Sequence, residues 1–554
     1  MLSKKIIYYI RYFVLKSNKI KLFNKIYFLF YKLSLIFIIW RFKKLRGIKA
    51  IYLEGSLTQG GARFKAGSTD IYLIIVTEEL GCQNELEFIY AYIKKCIRLK
   101  KLFPFLKDFC ALNKSAVCIH SSAKILGPYH FKTQNTPYKV MHGNADDYFI
   151  KKLNFSLESY PIDDFFILAR TTLRPINEGL YNAATENWAY TRNAVINIER
   201  IINYINKNIP CFKSQNLTDE LKKKIKFLTN KNFFAYSADF TFFVSLINDS
   251  YSLLEECLSH LMTTRQRPNA PVDKKISLTR HNLPNRNLTY IAEKMSNRIT
   301  SIYKSEADIL HNISIIPDYS CSYRYIPYII FNNSLEPKVI NNIYAALKEI
   351  NTSLPQFSCC SNPVILTKKM FYLNKKHIET YHGPLDIFLC NKLILNIAGI
   401  ALDNHLGQET INNFINTKLY GSISKVDYNY IIASHNTFEQ LLEHLQNKNL
   451  LEVKITTDYL LGAITSHRLA VEKGIITSTP LETFTEYMGH YSNEELTDWY
   501  ESFYHKFYDI KIPFSLQFAE SQIKDLFYFY RKNREITNDI VNSNLKNNFG
   551  YYER

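Results

Sequence analysis

The chain lacks the glycine-rich motifs by which many nucleotide-binding folds are identified. It contains neither the Walker motif Gly-x-x-x-x-Gly-Lys-[Ser/Thr] nor the dinucleotide-binding motif Gly-x-Gly-x-x-Gly. None of its 10 cysteines forms a Cys-x-x-Cys pair, and its 14 histidines complete no zinc-ligand spacing with them. We therefore expect free, buried thiols and a reducing compartment such as the cytoplasm.

Acidic residues are absent from the sequence before Glu54. Thirteen lysines and arginines precede that residue, so this segment supplies 13 of the 19 net positive charges. Ile, Tyr, Phe and Leu are interleaved with the basic residues, which indicates a basic, aromatic-rich helical segment over residues 1–46. Such a segment suits an anionic membrane surface or a nucleic acid.

A long uninterrupted hydrophobic run is also missing. The longest, Ile26–Trp40, has fifteen residues and contains Lys32 and Ser34, whereas a membrane-spanning helix needs about 20 apolar residues. No small-residue cleavage site follows this run. We expect the helix either to pack on the rest of the protein or to lie on a membrane surface, as in a peripheral membrane protein.

The most informative chemical pattern begins at a strand, Ile48–Glu54, that is apolar and rich in β-forming residues. Gly55 and Ser56 follow it directly. Because glycine permits a sharp turn without a side-chain clash, the backbone N–H groups at this corner can approach an anion such as a phosphate. The connection that follows carries the basic residues Arg63 and Lys65.

A second strand, Ile71–Val76, opens directly after Asp70. Side chains alternate along a strand with a period of two, so Asp70 and Tyr72 belong to one face and Ile71 to the other. Asp70 can therefore point toward the corner at Gly55 and Ser56.

This pattern resembles the head of the DNA polymerase β-like nucleotidyltransferase superfamily. It consists of an apolar strand, Gly-Ser, a connection of thirteen residues and then Asp-Ile-x-Leu-Ile-Ile-Val. The resemblance implies a mixed sheet with flanking helices, an NTP substrate and Mg²⁺ or Mn²⁺. It implies that Gly55 and Ser56 hold the nucleotide phosphates, with Arg63 and Lys65 beside them, and that Asp70 binds the metal. The acceptor of the nucleotidyl group is a protein, an RNA or a small molecule.

A third carboxylate of this family lies on a later strand, and Asp108 is the only acid between Glu87 and Asp146. If Asp108 faces Asp70, the two can hold one metal ion; if it faces solvent, the site has a single carboxylate. The second carboxylate of the family's Asp-x-Asp pair is Tyr72 here. A phenol has a pKa near ~10 and is a poor ligand for the hard Mg²⁺ ion. The alternative hypothesis is therefore a degenerate member that binds nucleotide, nucleic acid or membrane without catalysis.

The remaining chain is dominated by helical periodicity. We expect an α+β fold in which a nucleotidyltransferase-like domain (47–145) follows the basic segment (1–46). Two mainly helical domains, 146–326 and 327–554, come after it. Leu288–Ile313 is expected to form one of their helices.

Overall fold

The computed structural model describes residues 13–14, 17, 20–54, 57–58, 64, 71–103, 106–112, 139–144, 175–184, 191–209, 215–230, 240–264, 274–275, 277–279, 301–302, 304–317, 325–353, 363–379, 420–421, 428–477, 480–508 and 514–549. Helices predominate among them, together with sheets that contain both parallel and antiparallel pairs. The expected α+β class with a large helical content is therefore confirmed at this level.

The amino-terminal sheet has four strands, β1 (Ile48–Glu54), β2 (Ile71–Thr77), β3 (Leu106–Leu112) and β4 (Lys139–His142), in the order β3-β2-β1-β4. Strand β1 is antiparallel to β2 and β4, whereas β2 and β3 are parallel. A parallel pair requires a crossover connection, and helix α2 (Cys82–Leu102) provides it. The apolar residues of α2 recur at helical spacing in the sequence, and Pro104 follows the end of the helix.

Helix α1 (Lys21–Lys43) precedes the sheet and has one side buried in the protein core. By length and composition it is the one helix among the described residues that could cross a membrane. Its buried residues pack with the apolar residues of β1, β2 and α2. The expectation that this segment packs on the sheet is thus confirmed for one side of the helix.

Five carboxy-terminal helices complete the same core. They are α8 (Tyr428–Gln446), α9 (Leu450–Arg468), α10 (Pro480–Tyr491), α11 (Thr497–Tyr508) and α12 (Leu516–Phe549). A π-helical turn, Leu469–Lys473, follows α9. Their buried side chains, many of them aromatic, belong to one cluster with those of α1, α2, β1 and β2. The sheet is therefore stabilised by segments more than 300 residues away, as the hydrogen bond from Lys100 to Glu443 (2.9 Å) illustrates.

A second core lies in the middle of the chain. It contains a helical stretch at 175–184, α3 (Arg192–Asn208), α4 (Gln215–Asn230), α5 (Phe240–Thr264), α6 (Pro337–Ser353) and α7 (Lys368–Glu379). A sheet of β7 (Leu310–Pro317), β8 (Tyr325–Phe331) and β9 (Val364–Thr367) packs with them, β7 antiparallel and β9 parallel to β8. The buried Tyr251 hydroxyl of α5 donates to the Ile365 carbonyl at 2.6 Å and ties helix to sheet.

The expected helix over Leu288–Ile313 is wrong at its end, because Leu310 begins β7. Strand β8 includes residue 326, the last residue of the predicted third domain. Two small pairs join distant segments: β5 (Lys274–Lys275) with β10 (Tyr420–Gly421), and β6 (Ser277–Thr279) with β11 (Ile475–Thr477). The division into four domains stays a prediction.

Candidate functional site

The candidate site lies at the end of the amino-terminal sheet where β1 finishes and β2 and β3 begin. Glu54, the last residue of β1, is the register partner of Tyr72. On the other side of β2, Ile71 is the partner of Leu106, the first residue of β3. The segments that follow β1 and precede β2 and β3 therefore leave the sheet at the same end.

Five of the six predicted site residues lie outside the described residues. They are Gly55, Ser56, Arg63, Lys65 and Asp70. Their positions in the sequence connect them to the described strands, since Gly55 directly follows Glu54 and Asp70 directly precedes Ile71. The roles assigned to these five residues stay predictions.

Tyr72 is exposed at this end of the sheet. Its side chain is 37% exposed, whereas its neighbours Ile71 and Leu73 are fully buried. Ile71 and Leu73 belong to the core formed with the helices, and strand alternation places Tyr72 on the opposite face. The predicted alternation along β2 is confirmed at this position. Tyr72 is accessible, whereas Ile74 farther along the same face is buried.

Asp108 lies on β3, next to Tyr72 in the sheet register. The pairs Ile71–Leu106 and Leu73–Phe109 enclose Lys107 and Asp108 on β3 but only Tyr72 on β2, so β3 has one extra residue at this point. Such an irregularity, or β-bulge, re-aims the side chains around it and is common beside active sites.

Glu54 was not among the residues predicted from the sequence. Register partners in an antiparallel pair share a face of the sheet, so Glu54 and Tyr72 belong to the same face. Glu54, Tyr72 and Asp108 thus occupy a row across three adjacent strands, with an acidic residue on each side of the tyrosine. The only signal in the sequence is that Glu54 is the residue directly before Gly55.

The row supplies oxygen-donor residues of the kind that Mg²⁺ and Mn²⁺ prefer. Among the side chains that the structure describes, no group of three His, Cys, Asp or Glu residues is close enough to hold a metal ion. A metal at this end of the sheet would have to be held by Asp70, Asp108 or Glu54, whose side chains are outside that description.

The opposite end of β2 and β3 is closed by the carboxy-terminal helices. A cavity of about 20 Å³ lies there between the sheet, α2, α8 and α12, which is room for about one water molecule. Thr77 and Ala111 line it from the sheet, and Glu439 and Arg534 line it from the helices. It is too small for a substrate.

Two buried ionisable residues border this cavity. Burial raises the pKa of the Glu439 carboxyl to about 8, although the Ala111 N–H donates to it at 3.3 Å. The Arg534 guanidinium donates through Nη2 to Glu85 on α2 at 2.8 Å. Among the described atoms, its buried Nε has no hydrogen-bond partner. These groups hold the sheet and the carboxy-terminal helices together.

The chain matches none of the protein-family models, curated proteins or solved structures with which it was compared. The features of the molecule that bear on its function are therefore the order of the strands, the residues at the end of the sheet and the exposed position of Tyr72.

Proposed function

We propose that the protein is a nucleotidyltransferase-like enzyme that transfers a nucleotidyl group from an NTP to an acceptor hydroxyl. The observation that carries the proposal is the row Glu54, Tyr72 and Asp108 at the end of the sheet from which the Gly55-Ser56 sequence continues. The mixed sheet, which packs with helices, is compatible with the mixed sheet and flanking helices that the sequence resemblance implies.

In this proposal the backbone N–H groups of Gly55 and Ser56 cradle the nucleotide phosphates, and Arg63 and Lys65 neutralise their charge. Asp70 and Asp108 hold Mg²⁺ or Mn²⁺, which when bound stabilises the negative charge on the transferred group. The acceptor hydroxyl attacks the α-phosphorus and releases its proton to water. The bond between the α-phosphorus and the oxygen that bridges to the β-phosphate breaks, and pyrophosphate leaves with that oxygen. The acceptor is a protein, an RNA or a small molecule.

A second candidate function is nucleotide binding without catalysis. Tyr72 favours binding without catalysis, because a neutral phenol occupies the position at which the nucleotidyltransferase superfamily, which the sequence resembles, has a metal-binding carboxylate. In this case the corner still binds the phosphates, but no metal is clamped for the transfer. The two candidates therefore differ in whether the bound nucleotide reacts.

The test is label transfer from NTPs labelled at the α-phosphate, incubated with the full chain, Mg²⁺ or Mn²⁺, and cell extract. The enzyme proposal expects transfer that falls at least about 100-fold in Asp70→Asn, since removal of a metal ligand removes several kcal/mol of transition-state stabilisation. Asp219→Asn is the matched control, because Asp219 is an exposed carboxylate on α4.

Equal transfer by wild type and Asp70→Asn would overturn the assignment of the catalytic site. Equilibrium binding of a fluorescent NTP analogue separates the two candidates. Metal-independent binding without label transfer supports the non-catalytic one. If neither binding nor transfer is detected, both are wrong.

A further inference from the structure

Helix α1 has two apolar sides, of which the protein covers only one. Its inner side, which includes Leu35, Ile38 and Phe42, is buried in the core. Its outer side exposes nine large apolar residues along the whole helix: Leu22, Phe23, Ile26, Leu29, Phe30, Leu33, Ile36, Phe37 and Trp40. Their exposed fractions range from 36% for Phe23 to 65% for Leu22.

The outer residues form one continuous stripe. They recur at spacings of three and four, and at 3.6 residues per turn they cover about 140° of the helix circumference over a length of about 27 Å. Soluble proteins rarely expose contiguous apolar patches of more than a few hundred Å², and larger ones mark sites of interaction. Something apolar and extended is therefore expected to cover this stripe.

Positive charge lies along one border of the stripe. Lys21, Lys25, Lys32 and Lys43 are exposed and fall within about 40° of one another around the helix. At the carboxy-terminal end of α1, the Lys44 ammonium lies 3.6 Å from the centre of the Trp40 ring. An amphipathic aromatic ring beside basic residues is typical of the headgroup level of a membrane.

These charges decide between two apolar partners. A second copy of the chain would bring the same lysine row to a shared interface, with no acidic residue before Glu54 in either copy to neutralise it. An anionic bilayer offers an apolar interior and negative headgroups together. The charge complementarity therefore favours lipid.

The packing of the inner side determines how the helix meets the bilayer. The Phe42 ring lies 5.8 Å from the Tyr92 ring of α2, and the Tyr31 ring lies 5.0 Å from that of Phe64. Spanning the membrane would break these contacts and place Lys25 and Lys32 near hydrocarbon, which is unfavourable. A helix fixed to the domain by one side can instead lie in the plane of the interface.

We propose that the outer side of α1 binds an anionic membrane surface, with the helix lying in the interface and the rest of the protein on the aqueous side. The nine apolar side chains enter the boundary between headgroups and acyl chains. The lysine row contacts the lipid phosphates and carboxylates. This inference concerns the outer side of α1 and goes beyond the proposed function.

The experiment is flotation of the full chain with phosphatidylcholine vesicles, with and without about 30 mol% phosphatidylserine. Wild type is expected to float with the anionic vesicles. Leu33→Glu should weaken that binding about tenfold or more, because it removes apolar burial and adds repulsion. Leu450→Glu is the matched control, since Leu450 is an exposed leucine (41%) at the start of α9.

A second variant tests the charges. Lys25→Gln/Lys32→Gln should weaken binding to anionic vesicles about tenfold and leave the weak binding to neutral vesicles unchanged. Because Leu33 is 57% exposed, Leu33→Glu should keep the wild-type circular dichroism and urea midpoint.

The proposal is overturned if wild type does not float, or if Leu33→Glu floats as wild type does. It is also overturned if sedimentation shows a dimer that Leu33→Glu dissociates, since the stripe would then bind a second copy. Carbonate washing at high pH should release the wild-type protein from the vesicles. Retention after that wash would mean a spanning helix and would contradict the in-plane geometry.

Discussion

Replacing Glu439 with glutamine is expected to stabilise the protein at alkaline pH and to have little effect near pH 4.5. Glu439 is buried on α8 against the end of β3, where its carboxyl oxygen accepts the Ala111 N–H. Burial raises its pKa to about 8, from 4.5 for an ordinary glutamate. Lys100 on α2 and Glu443 on α8 pair with each other at 2.9 Å; the charge of Lys100 lowers the pKa of Glu439 and that of Glu443 raises it.

The sign follows from proton linkage. Between pH 4.5 and 8 the unfolded chain ionises Glu439 while the folded protein keeps it protonated, so the native state becomes less stable as pH rises. The free energy of unfolding falls by up to 1.36 kcal/mol for each pH unit. The upper limit of this loss over the window is therefore about 5 kcal/mol. Glutamine has nearly the same shape, accepts the same hydrogen bond and does not ionise. The variant should therefore avoid this loss.

The assay is urea unfolding of wild type and Glu439→Gln at several values between pH 4.5 and 8. The difference in unfolding free energy should grow in favour of the variant by at least ~2 kcal/mol across the window. Glu443→Gln is the control, because a partly exposed ion pair contributes about 1 kcal/mol or less. A difference between wild type and Glu439→Gln that does not change with pH would refute the reasoning.

Three further outcomes are expected. Arg468 is buried and donates to Glu494 at 2.7 Å. Arg468→Lys loses the planar bidentate contact and should lower the free energy of unfolding, measured in urea, by about 2–3 kcal/mol. Gly143 has a φ of +78°, and a Cβ there would lie 2.1 Å from the Lys49 carbonyl oxygen. Gly143→Ala should therefore lower the thermal midpoint and reduce the free energy of unfolding by at least about 2 kcal/mol. Tyr72→Asp should add a carboxylate between the acidic positions of the row. Mn²⁺ is therefore expected to raise the thermal midpoint of this variant more than that of wild type. Equal shifts of the midpoint on adding Mn²⁺ would argue against a metal site there.

The amino-terminal sheet, which carries the proposed nucleotide site, packs against the carboxy-terminal helices. The face of the sheet that carries Ile71 and Leu73 packs in one core with helices from 428 onward. The Glu85–Arg534 and Lys100–Glu443 pairs link α2 to those helices. The strands that carry the candidate site are thus held by the carboxy-terminal helices. A site on such rigid elements keeps its geometry.

Local patterns in the sequence were sufficient to locate the first two strands and several helices. Strands β1 and β2 follow from short β-rich apolar runs bounded by a turn signal, and α2 and α3 follow from apolar residues at helical spacing. The exposure of Tyr72 beside the buried Leu73 also follows from the alternation of side chains along a strand. These features depend on neighbours in the chain, so the sequence by itself determines them.

The tertiary structure decided what depends on distant segments. Leu310–Pro317 becomes a strand because it pairs with Tyr325–Phe331, although its apolar residues are compatible with a helix. Glu54 joins Tyr72 and Asp108 in one row only through strand pairing. The sequence of α1 is apolar on both sides, and packing against the sheet determined which side is buried and which remains exposed. Burial and pairing are sums over contacts between residues far apart in the chain, and for that reason local periodicity could not assign them.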